Sequence, residues 1–360
     1  MRKKIQAFIL LIFTIANQSD AQNFVYKFKN ADGGKWGYAD INGKTIIEPQ
    51  YRNCSDFSDC GIALVYEYID SPLEFININN QKIQSEPEEF SLKTDYSENY
   101  IQAYQNGFVG VYNDEKWGYL NSLGKLTIPF KYDEASVFSE NHAIVKTGDN
   151  YLIIDTNGVE TPIKVNNIKE TRSFTEGLAR IKMDGSNYAY INYNGDVIIN
   201  LKALGCGYFS SGFSWVRSIN KKIGFIDKSG AWKIEPKFEI VHDFDKESGM
   251  ALVKENGEWK YVDTTGKILN VDLTVKFVSF SNGLARGFVM DIYSEKKETF
   301  IGYFDNTGKW VIKPVYENVR DFKNGYAAVS YEGKWGFIDK TGNWVIKPAY
   351  AHIGDVIKIK

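Results

Sequence analysis

Short polar side chains recur along this chain at nearly even spacing, and repeated carboxylates could bind a metal or pair for acid–base catalysis. The repeated residues are Asp40, Asn77, Asn121, Asp155, Asn192, Asp227, Asp263, Asp305 and Asp339. A calcium loop needs several more oxygen ligands at alternate positions, and the segment Asp40-Ile41-Asn42-Gly43 lacks them. A turn is the better interpretation, because Gly, or once Asn, follows each of these residues three positions later. Both residues tolerate a positive φ, so each copy predicts a β-hairpin bend.

Other candidates for chemistry are few. The three histidines, His142, His242 and His352, fall at different places in the repeat and have no cysteine at metal-ligand spacing, which argues against a zinc site. The sequence has no nucleophile elbow and no phosphate-binding loop. Acidic side chains are abundant, so a glycan hydrolase using a carboxylate pair stays open as a third alternative. We expect a non-catalytic protein without a metal or cofactor.

Each polar residue closes a repeated phrase that begins with an aromatic-Gly pair and continues as a strand. The period of about 37 residues indicates one supersecondary unit copied in tandem about nine times. We expect the bare glycine to let an aromatic ring of a neighbouring strand lie over the backbone. The residues to which we assign this structural role are Trp36, Gly37, Asp40, Gly43, Trp117, Gly118, Gly124, Asp227, Gly230, Asp305, Gly308, Trp335, Gly336, Asp339 and Gly342.

Two further phrases accompany the first. Phe-x-x-Gly-x-Ala-x-Val precedes it, as at Phe322–Val329, and a strand ending in Pro-x-Tyr follows it, as at Trp344–Tyr350. Each unit therefore reads as three short antiparallel strands, with a fourth left open, in an all-β tandem repeat. The ends, Phe24–Phe28 and Ile353–Lys360, could pair to close a propeller-like ring or cap an open, curved β-superhelix. Nine units exceed the usual blade number of a propeller, which favours the open array slightly.

Three tryptophans share one repeat position, two residues after the turn glycine: Trp232, Trp310 and Trp344. If this position faces solvent, the rings could form a platform for sugars. If it faces the neighbouring unit, they belong to the core, which we favour because Trp is mostly buried.

The joint pattern Lys-Trp-Gly-Tyr-x-Asp-x-x-Gly-Lys, with Phe-x-x-Gly-x-Ala and Pro-x-Tyr, resembles the WG-repeat or KWG-repeat family from about Phe24 to Tyr350. The resemblance implies a bacterial β-rich repeat module with no shared catalytic residues. Several units depart from the pattern, among them Tyr151-Leu152 and Trp259-Lys260.

Residues 1–21 have the pattern of a signal peptide, with Arg2, Lys3 and Lys4 before an apolar run, and the mature domain would be residues 22–360. Removing them takes away three basic residues and one acidic residue, which changes the formal net charge from −2 to −4. We find no basic stripe for nucleic acid and no later segment able to span a membrane. Of the three cysteines, Cys54 and Cys60 could pair, although buried apolar use is the better expectation.

These observations predict an exported, periplasmic or secreted, binding or scaffold module for another envelope protein. A carbohydrate-binding protein is the alternative. Two insertions, Ser85–Tyr100 and Asp291–Thr299, are candidate binding loops. The identity of the ligand and the oligomeric state do not follow from the sequence.

Overall fold

A computed structural model describes residues 23–68, 71–92, 94–95, 100–101, 104–271, 276–290 and 299–360. The described residues are all β or irregular, and no helix able to cross a membrane occurs among them. They form nine antiparallel sheets of three to five strands, which we number 1 to 9 along the chain, and one two-stranded sheet, Thr94–Asp95 with Tyr100–Ile101. The predicted signal peptide, residues 1–21, lies outside the described residues.

Each complete sheet contains four strands that we letter a, b, c and d from one edge to the other, which is also the chain order except in sheet 1. Strand b carries the Gly-x-Ala-x-Val phrase and strand c the aromatic-Gly phrase, and the alternation of apolar residues in both suits a sheet buried on its faces. From sheet 1 to sheet 9, strand b spans Phe24–Lys29, Ile62–Tyr66, Phe108–Asn113, His142–Thr147, Ala179–Lys182, Phe213–Arg217, Met250–Glu255, Ala285–Met290 and Tyr326–Tyr331. Strand c spans Trp36–Asp40, Glu74–Asn77, Lys116–Asn121, Asn150–Asp155, Asn187–Ile191, Ile223–Asp227, Glu258–Asp263, Thr299–Phe304 and Lys334–Asp339.

The outer strand, strand d, varies in length, and it is not assigned in sheet 2. In the other sheets it spans Thr45–Tyr51, Leu126–Tyr132, Glu160–Pro162, Val197–Lys202, Trp232–Phe238, Ile268–Leu269, Trp310–Tyr316 and Trp344–Tyr350.

The predicted three-stranded unit is incomplete, because a short strand a precedes strand b in most sheets. For sheets 2 to 7 and sheet 9 it spans Asn53–Cys54, Ser91–Leu92, Glu134–Ala135, Glu170–Thr171, Gly205–Cys206, Ile240–Val241 and Asn318–Val319. Two residues are too short to show a period, which is why the sequence left this strand open.

Sheet 1 decides between the two alternatives for the ends of the repeat. Phe28 pairs with Ile353 and Phe24 with Lys358, so His352–Ile353 and Ile357–Lys358 supply the missing first strand beside Phe24–Lys29. Tandem four-stranded antiparallel sheets, the first of which is completed from the far end of the repeat, are the blade arrangement of a β-propeller, here with nine blades. The pairing supports the propeller-like alternative and not the open superhelix.

The predicted turns are confirmed in all nine sheets. Each Asp or Asn side chain accepts the backbone N–H groups two and four residues later, at 2.8–3.2 Å. The Gly or Asn three positions later has φ between 60° and 86°. Donation by the Val159 N–H, for example, holds the pKa of Asp155 below its ordinary value. These carboxylates are therefore occupied by their own turns.

The chain divides into two compact units, residues 1–83 with 316–360, and residues 84–315. Within each unit the cores lie in seams between consecutive sheets. In the first unit Tyr38, Ile47 and Ala63 share one cluster, and in the second unit Tyr132, Ala143 and Val145 share another. Stacking buries aromatic faces that a single sheet would leave exposed.

Candidate binding groove

The glycine of the aromatic-Gly pair has a different role from the one predicted. A Cβ on Gly37 would lie closer than 3.0 Å to the backbone of Ile47 and Pro49, in strand d of the same sheet, and not beside an aromatic ring. The same close approach to the outer strand occurs at Gly118, Gly224, Gly302 and Gly336. The pairing of strands c and d shifts register here, as between Trp36 and Tyr38 in sheet 1. The proline, which has no N–H to offer the ladder, sits in this bulge.

Beyond the bulge, strand d runs on to pair with the residue that precedes the glycine in strand c. Trp117 is opposite Tyr132 in sheet 3, and Ile223 is opposite Phe238 in sheet 6. Tyr132 and Phe238 are both fully buried. The last residue of strand d therefore covers the end of the sheet at which strand c begins. Its side chain is buried in the seam between this sheet and the next.

Sheet 4 lacks this arrangement. Leu152 replaces the glycine, and strand d pairs regularly with strand c but ends at Pro162, opposite Leu152. Tyr151, the repeat equivalent of Trp117, lies opposite Ile163, one residue beyond the end of strand d. Its carbonyl accepts the Ile163 N–H at 3.3 Å, and the chain then leaves this sheet, because the Lys164 N–H donates to the carbonyl of Gly195.

An open groove of about 920 Å³ occupies the space beside the shortened strand. Its apolar floor consists of Tyr151, Leu152, Pro162, Ile163, Val165 and Ile168. Tyr151, Val165 and Ile168 are half-buried against the core cluster of sheets 4 and 5. Eight of the fourteen lining residues are polar or charged, so the groove combines an apolar floor with a polar rim.

The charged side chains at the rim of the groove balance one another: Lys131, Lys169, Asp149 and Glu160. Lys131 Nζ lies 2.7 Å from Glu160 Oε1, and this contact is the main reason why the pKa of Glu160 is lowered. The hydroxyl of Tyr132 donates to the same carboxylate at 2.8 Å, and burial together with this bond raises the pKa of Tyr132 to about 12. The two basic and two acidic side chains of the rim therefore sum to zero charge. Lys131 and Glu160 are already paired with each other.

The three tryptophans of the shared position are half-buried. Trp232 packs against the cluster that contains Tyr190 and Val216, in the seam between sheets 5 and 6. Trp310 meets the ring of Phe304 edge-on at 6.1 Å. Trp344 meets Tyr316 edge-on at 5.8 Å. Each ring lies in its own sheet and contacts neighbouring aromatic or apolar side chains.

The remaining sequence candidates are dispersed. His142, His242 and His352 lie near the start of strand b of sheet 4, after strand a of sheet 7 and in strand a of sheet 1. Within the described residues, no three His, Cys, Asp or Glu side chains are grouped as metal ligands. All three cysteines are free thiols; Cys54 and Cys206 are buried, and burial raises the pKa of each to about 11.

The candidate insertion loops are only partly described. Ser91–Leu92, within the first insertion, forms strand a of sheet 3, and residues 93 and 96–99 lie outside the described residues. Residues 291–298 of the second insertion also lie outside them. The groove residues were not singled out from the sequence. The available signal was the departure Tyr151-Leu152, because Leu at this position excludes the bulged crossing that Gly permits.

Comparisons with known proteins agree with the repeat and the fold. The sequence model of the family described as "WG containing repeat" matches residues 36–67, 117–151, 223–259, 301–335 and 335–357. No curated protein matches the chain in sequence.

Solved structures are similar at low identity. A crystal structure described as the eukaryotic initiation factor is similar with a TM-score of 0.55 and 10% identity, over 92% of this chain and 98% of that one. AztD from Citrobacter koseri has a TM-score of 0.39 and 9% identity, over 94% and 98%. BamB from Moraxella catarrhalis has a TM-score of 0.36 and 12% identity, over 80% and 91%. The first similarity supports only the fold, and the other two are too weak to support any inference.

Proposed function

We propose that this protein, which belongs to the WG-repeat family, is a non-catalytic binding module for another protein, and that the groove of sheet 4 takes part in the contact. The observation that carries the proposal is a groove with an apolar floor beside the shortened outer strand of sheet 4. The described turn carboxylates are engaged in their own turns, which leaves them poorly placed for catalysis. A tandem array of sheets in which some members differ at the outer strand suits recognition more than chemistry.

We further propose that the protein is exported, to the periplasm or the exterior, and acts as a scaffold in the cell envelope. The support is the signal-peptide pattern of residues 1–21. Fusion of residues 1–30 to a phosphatase that is active only outside the cytoplasm tests this step. Activity in a bacterial host is expected, and a fusion that stays inactive while being expressed would contradict export.

Sugar binding through Trp232, Trp310 and Trp344 receives less support. Stacking on a sugar needs an open ring face, whereas these rings are half-buried against their neighbours. Other half-buried rings carry a cation on one face: Lys29 Nζ lies 4.7 Å from the centre of the Trp36 ring. A glycan hydrolase ranks third.

Affinity capture tests the binding proposal. Residues 22–360 would be immobilised, exposed to detergent-solubilised envelope of the source organism, and the retained proteins identified by mass spectrometry. One protein retained in stoichiometric amount is the expected result. Retention of polysaccharide without protein would favour the sugar alternative, and retention of neither would refute the binding proposal.

A further inference from the structure

We propose that one end of sheets 5 and 6 docks on the surface of a bilayer that contains anionic lipids. In this arrangement Ile219 inserts among the headgroups, and four basic side chains lie over the lipid phosphates: Lys182, Lys202, Arg217 and Lys221. Reversible binding of proteins to membranes combines buried apolar area with electrostatic attraction to anionic lipids. This surface and this partner differ from the groove of sheet 4 and its protein ligand, so the inference goes beyond the proposed function.

The turn between strands b and c of sheet 6 carries an apolar residue at its tip. The Lys221 N–H donates to the Ser218 carbonyl at 2.9 Å, so Ile219 and Asn220 are the central residues of a tight turn. Ile219 is 65% exposed. The equivalent turns of sheets 3, 4, 7 and 9 have only polar residues or Gly at the tip: Asp114-Glu115, Gly148-Asp149, Asn256-Gly257 and Glu332-Gly333. Such turns prefer polar residues and Gly, so an isoleucine at this tip serves neither the turn nor the core.

Leu204 adds a second exposed apolar side chain beside this turn. It lies in the connection between sheets 5 and 6, where the Ala203 N–H donates to the Ser186 carbonyl and the Leu204 N–H donates to the Arg217 carbonyl, both at 2.8 Å. Leu204 is 43% exposed. The connection and the turn therefore lie at the same end of the two sheets, and Leu204 and Ile219 both lie next to Arg217.

The basic side chain of strand b in sheet 5 lacks the partner that its equivalent has in sheet 4. In sheet 4, Lys146 is opposite Glu134 of strand a, and its Nζ lies 2.9 Å from the carboxylate. In sheet 5, Lys182 is opposite Glu170 in the same way. The Glu170 carboxylate, however, is engaged by two arginines at 2.6 and 2.9 Å, and no ion pair joins it to Lys182.

Sheet 6 leaves its basic side chains without carboxylates as well. Arg217, at the same repeat position, is opposite Gly205, which has no side chain to offer. Arg217, Lys202 and Lys221 are all exposed, and none of them forms an ion pair with a residue that the structure describes. Together with Lys182, they place four uncompensated positive charges at one end of two adjacent sheets.

The acidic side chains nearby are already paired. Asp184 lies 3.4 Å from Lys169, and Glu239 lies 3.4 Å from Lys222. The whole chain has a formal net charge of −2, so this end differs in sign from the rest and would be turned towards an anionic surface.

The shape of the patch favours a bilayer over an acidic protein. Its most exposed apolar residue, Ile219, stands at the tip of a turn and is surrounded by dispersed cations. A protein partner requires a complementary surface whose core is depleted of charged residues. A headgroup layer adapts to a protruding tip and supplies phosphates all round it.

Sedimentation with vesicles tests the proposal on residues 22–360. One set of vesicles contains phosphatidylcholine alone, and the other is an equimolar mixture with phosphatidylglycerol. Binding to the mixture should be at least about tenfold tighter. Raising the salt from about 0.1 M to about 1 M, which shortens the Debye length from about 10 Å to about 3 Å, should release most of the bound protein.

A charge variant and its matched control locate the site. The double variant Lys202→Gln with Lys221→Gln should bind the mixed vesicles at least about tenfold more weakly, because each basic residue near an anionic surface contributes to binding. Lys267→Gln with Lys309→Gln removes the same charge from exposed positions beside the c–d turns of sheets 7 and 8, at the other end of strand c. This control should bind like the wild type.

An apolar pair tests insertion of the turn. Ile219→Ser should weaken binding about fivefold or more, because the apolar area buried in the membrane is lost. Leu123→Ser makes the matching change in the c–d turn of sheet 3, where Leu123 is 72% exposed, and should have no effect. Thermal melting checks that all four variants fold, which their exposed positions favour.

Several outcomes would overturn the inference. They are equal binding to both kinds of vesicle, binding that does not respond to salt, or equal losses in a variant and its matched control. No binding to vesicles, together with loss of a captured protein from the Lys202→Gln and Lys221→Gln variant, would assign the patch to an acidic protein instead. Failure of vesicle binding alone leaves the proposed function standing, because that function is tested by capture of a protein.

Discussion

Sheets 6 and 4 contain the same turn and the same central strands, yet one is closed at its outer edge and the other is open. In sheet 6, Gly224 lets the outer strand cross at a bulge, and Phe238 then fills the seam. In sheet 4, Leu152 is paired regularly and the outer strand stops at Pro162. The comparison shows that the Gly, the Pro and the terminal aromatic residue depend on one another. The Gly permits the close crossing, the Pro lies in the bulge, and the aromatic residue can fill the seam only because the strand continues past that bulge.

Sheet 5 shows that the loss of the glycine and the shortening of strand d are separate changes. It has Ala189 in place of the glycine, yet its outer strand runs to Lys202, opposite Asn187, without a proline bulge. Loss of the glycine therefore does not by itself shorten the outer strand. The groove in sheet 4 results from the early end of the strand, whereas the glycine is needed only where the bulge brings the two backbones together.

The largest effect is expected when the seam of sheet 6 is emptied. Phe238→Ala should lower the free energy of unfolding by about 3–5 kcal/mol, because Phe238 is fully buried and leaves a cavity. Val165→Ala, in the half-buried wall of sheet 4, should cost about 1 kcal/mol or less. Urea unfolding of both variants measures the difference. Equal losses would show that the two seams are equally closed.

The close crossing predicts the next effect. Gly224→Ala should cost about 3 kcal/mol, because its new Cβ meets the backbone of strand d, which has no flexible end to move. The reverse change at the equivalent position of sheet 5, Ala189→Gly, should cost about 1 kcal/mol through backbone entropy. A loss below about 0.5 kcal/mol for Gly224→Ala would contradict the assigned role of the glycine.

The shared turn should respond alike in both sheets. Gly230 has φ of 83° and Gly158 has φ of 77°. Substitution by valine at either position should cost about 1–3 kcal/mol through strain at positive φ. Unequal losses in urea unfolding, by more than about 1 kcal/mol, would indicate that the turns differ in the two sheets after all.

The smallest effect belongs to the rim of the groove. The partly exposed pair of Lys131 and Glu160 should contribute less than about 1 kcal/mol, so Glu160→Gln should change stability little near neutral pH. The pKa of Glu160 is lowered in the folded protein. Its contribution is therefore present above the ordinary carboxyl pKa and is lost as the pH falls through the lowered value. Unfolding measured from pH 6 down to about pH 3 should show the variant and the wild type converging; a widening gap would contradict the assignment.

Local patterns predicted the local parts of this fold. The turn at Asp40 and Gly43 follows from contacts within five residues, so its sequence signature sufficed. The role of Gly37 was misjudged because the backbone it faces belongs to Pro49, and the bulge there depends on pairing between strands. The groove required more still. Leu152 marks one of the units that depart from the repeat pattern, but only the paired strands reveal that strand d beside it ends early.

The pairing within sheet 1 also sets an order of events during synthesis. Phe24–Lys29 leaves the ribosome more than 300 residues before its partner Ile357–Lys358. Until then, one edge of the earliest sheet has no strand to pair with, which is the situation in which wrong pairing and aggregation threaten nascent chains. Sheet 1 is therefore completed only after residues 352–358 have been made. Until then, a chaperone that covers Phe24–Lys29 would oppose wrong pairing of this strand.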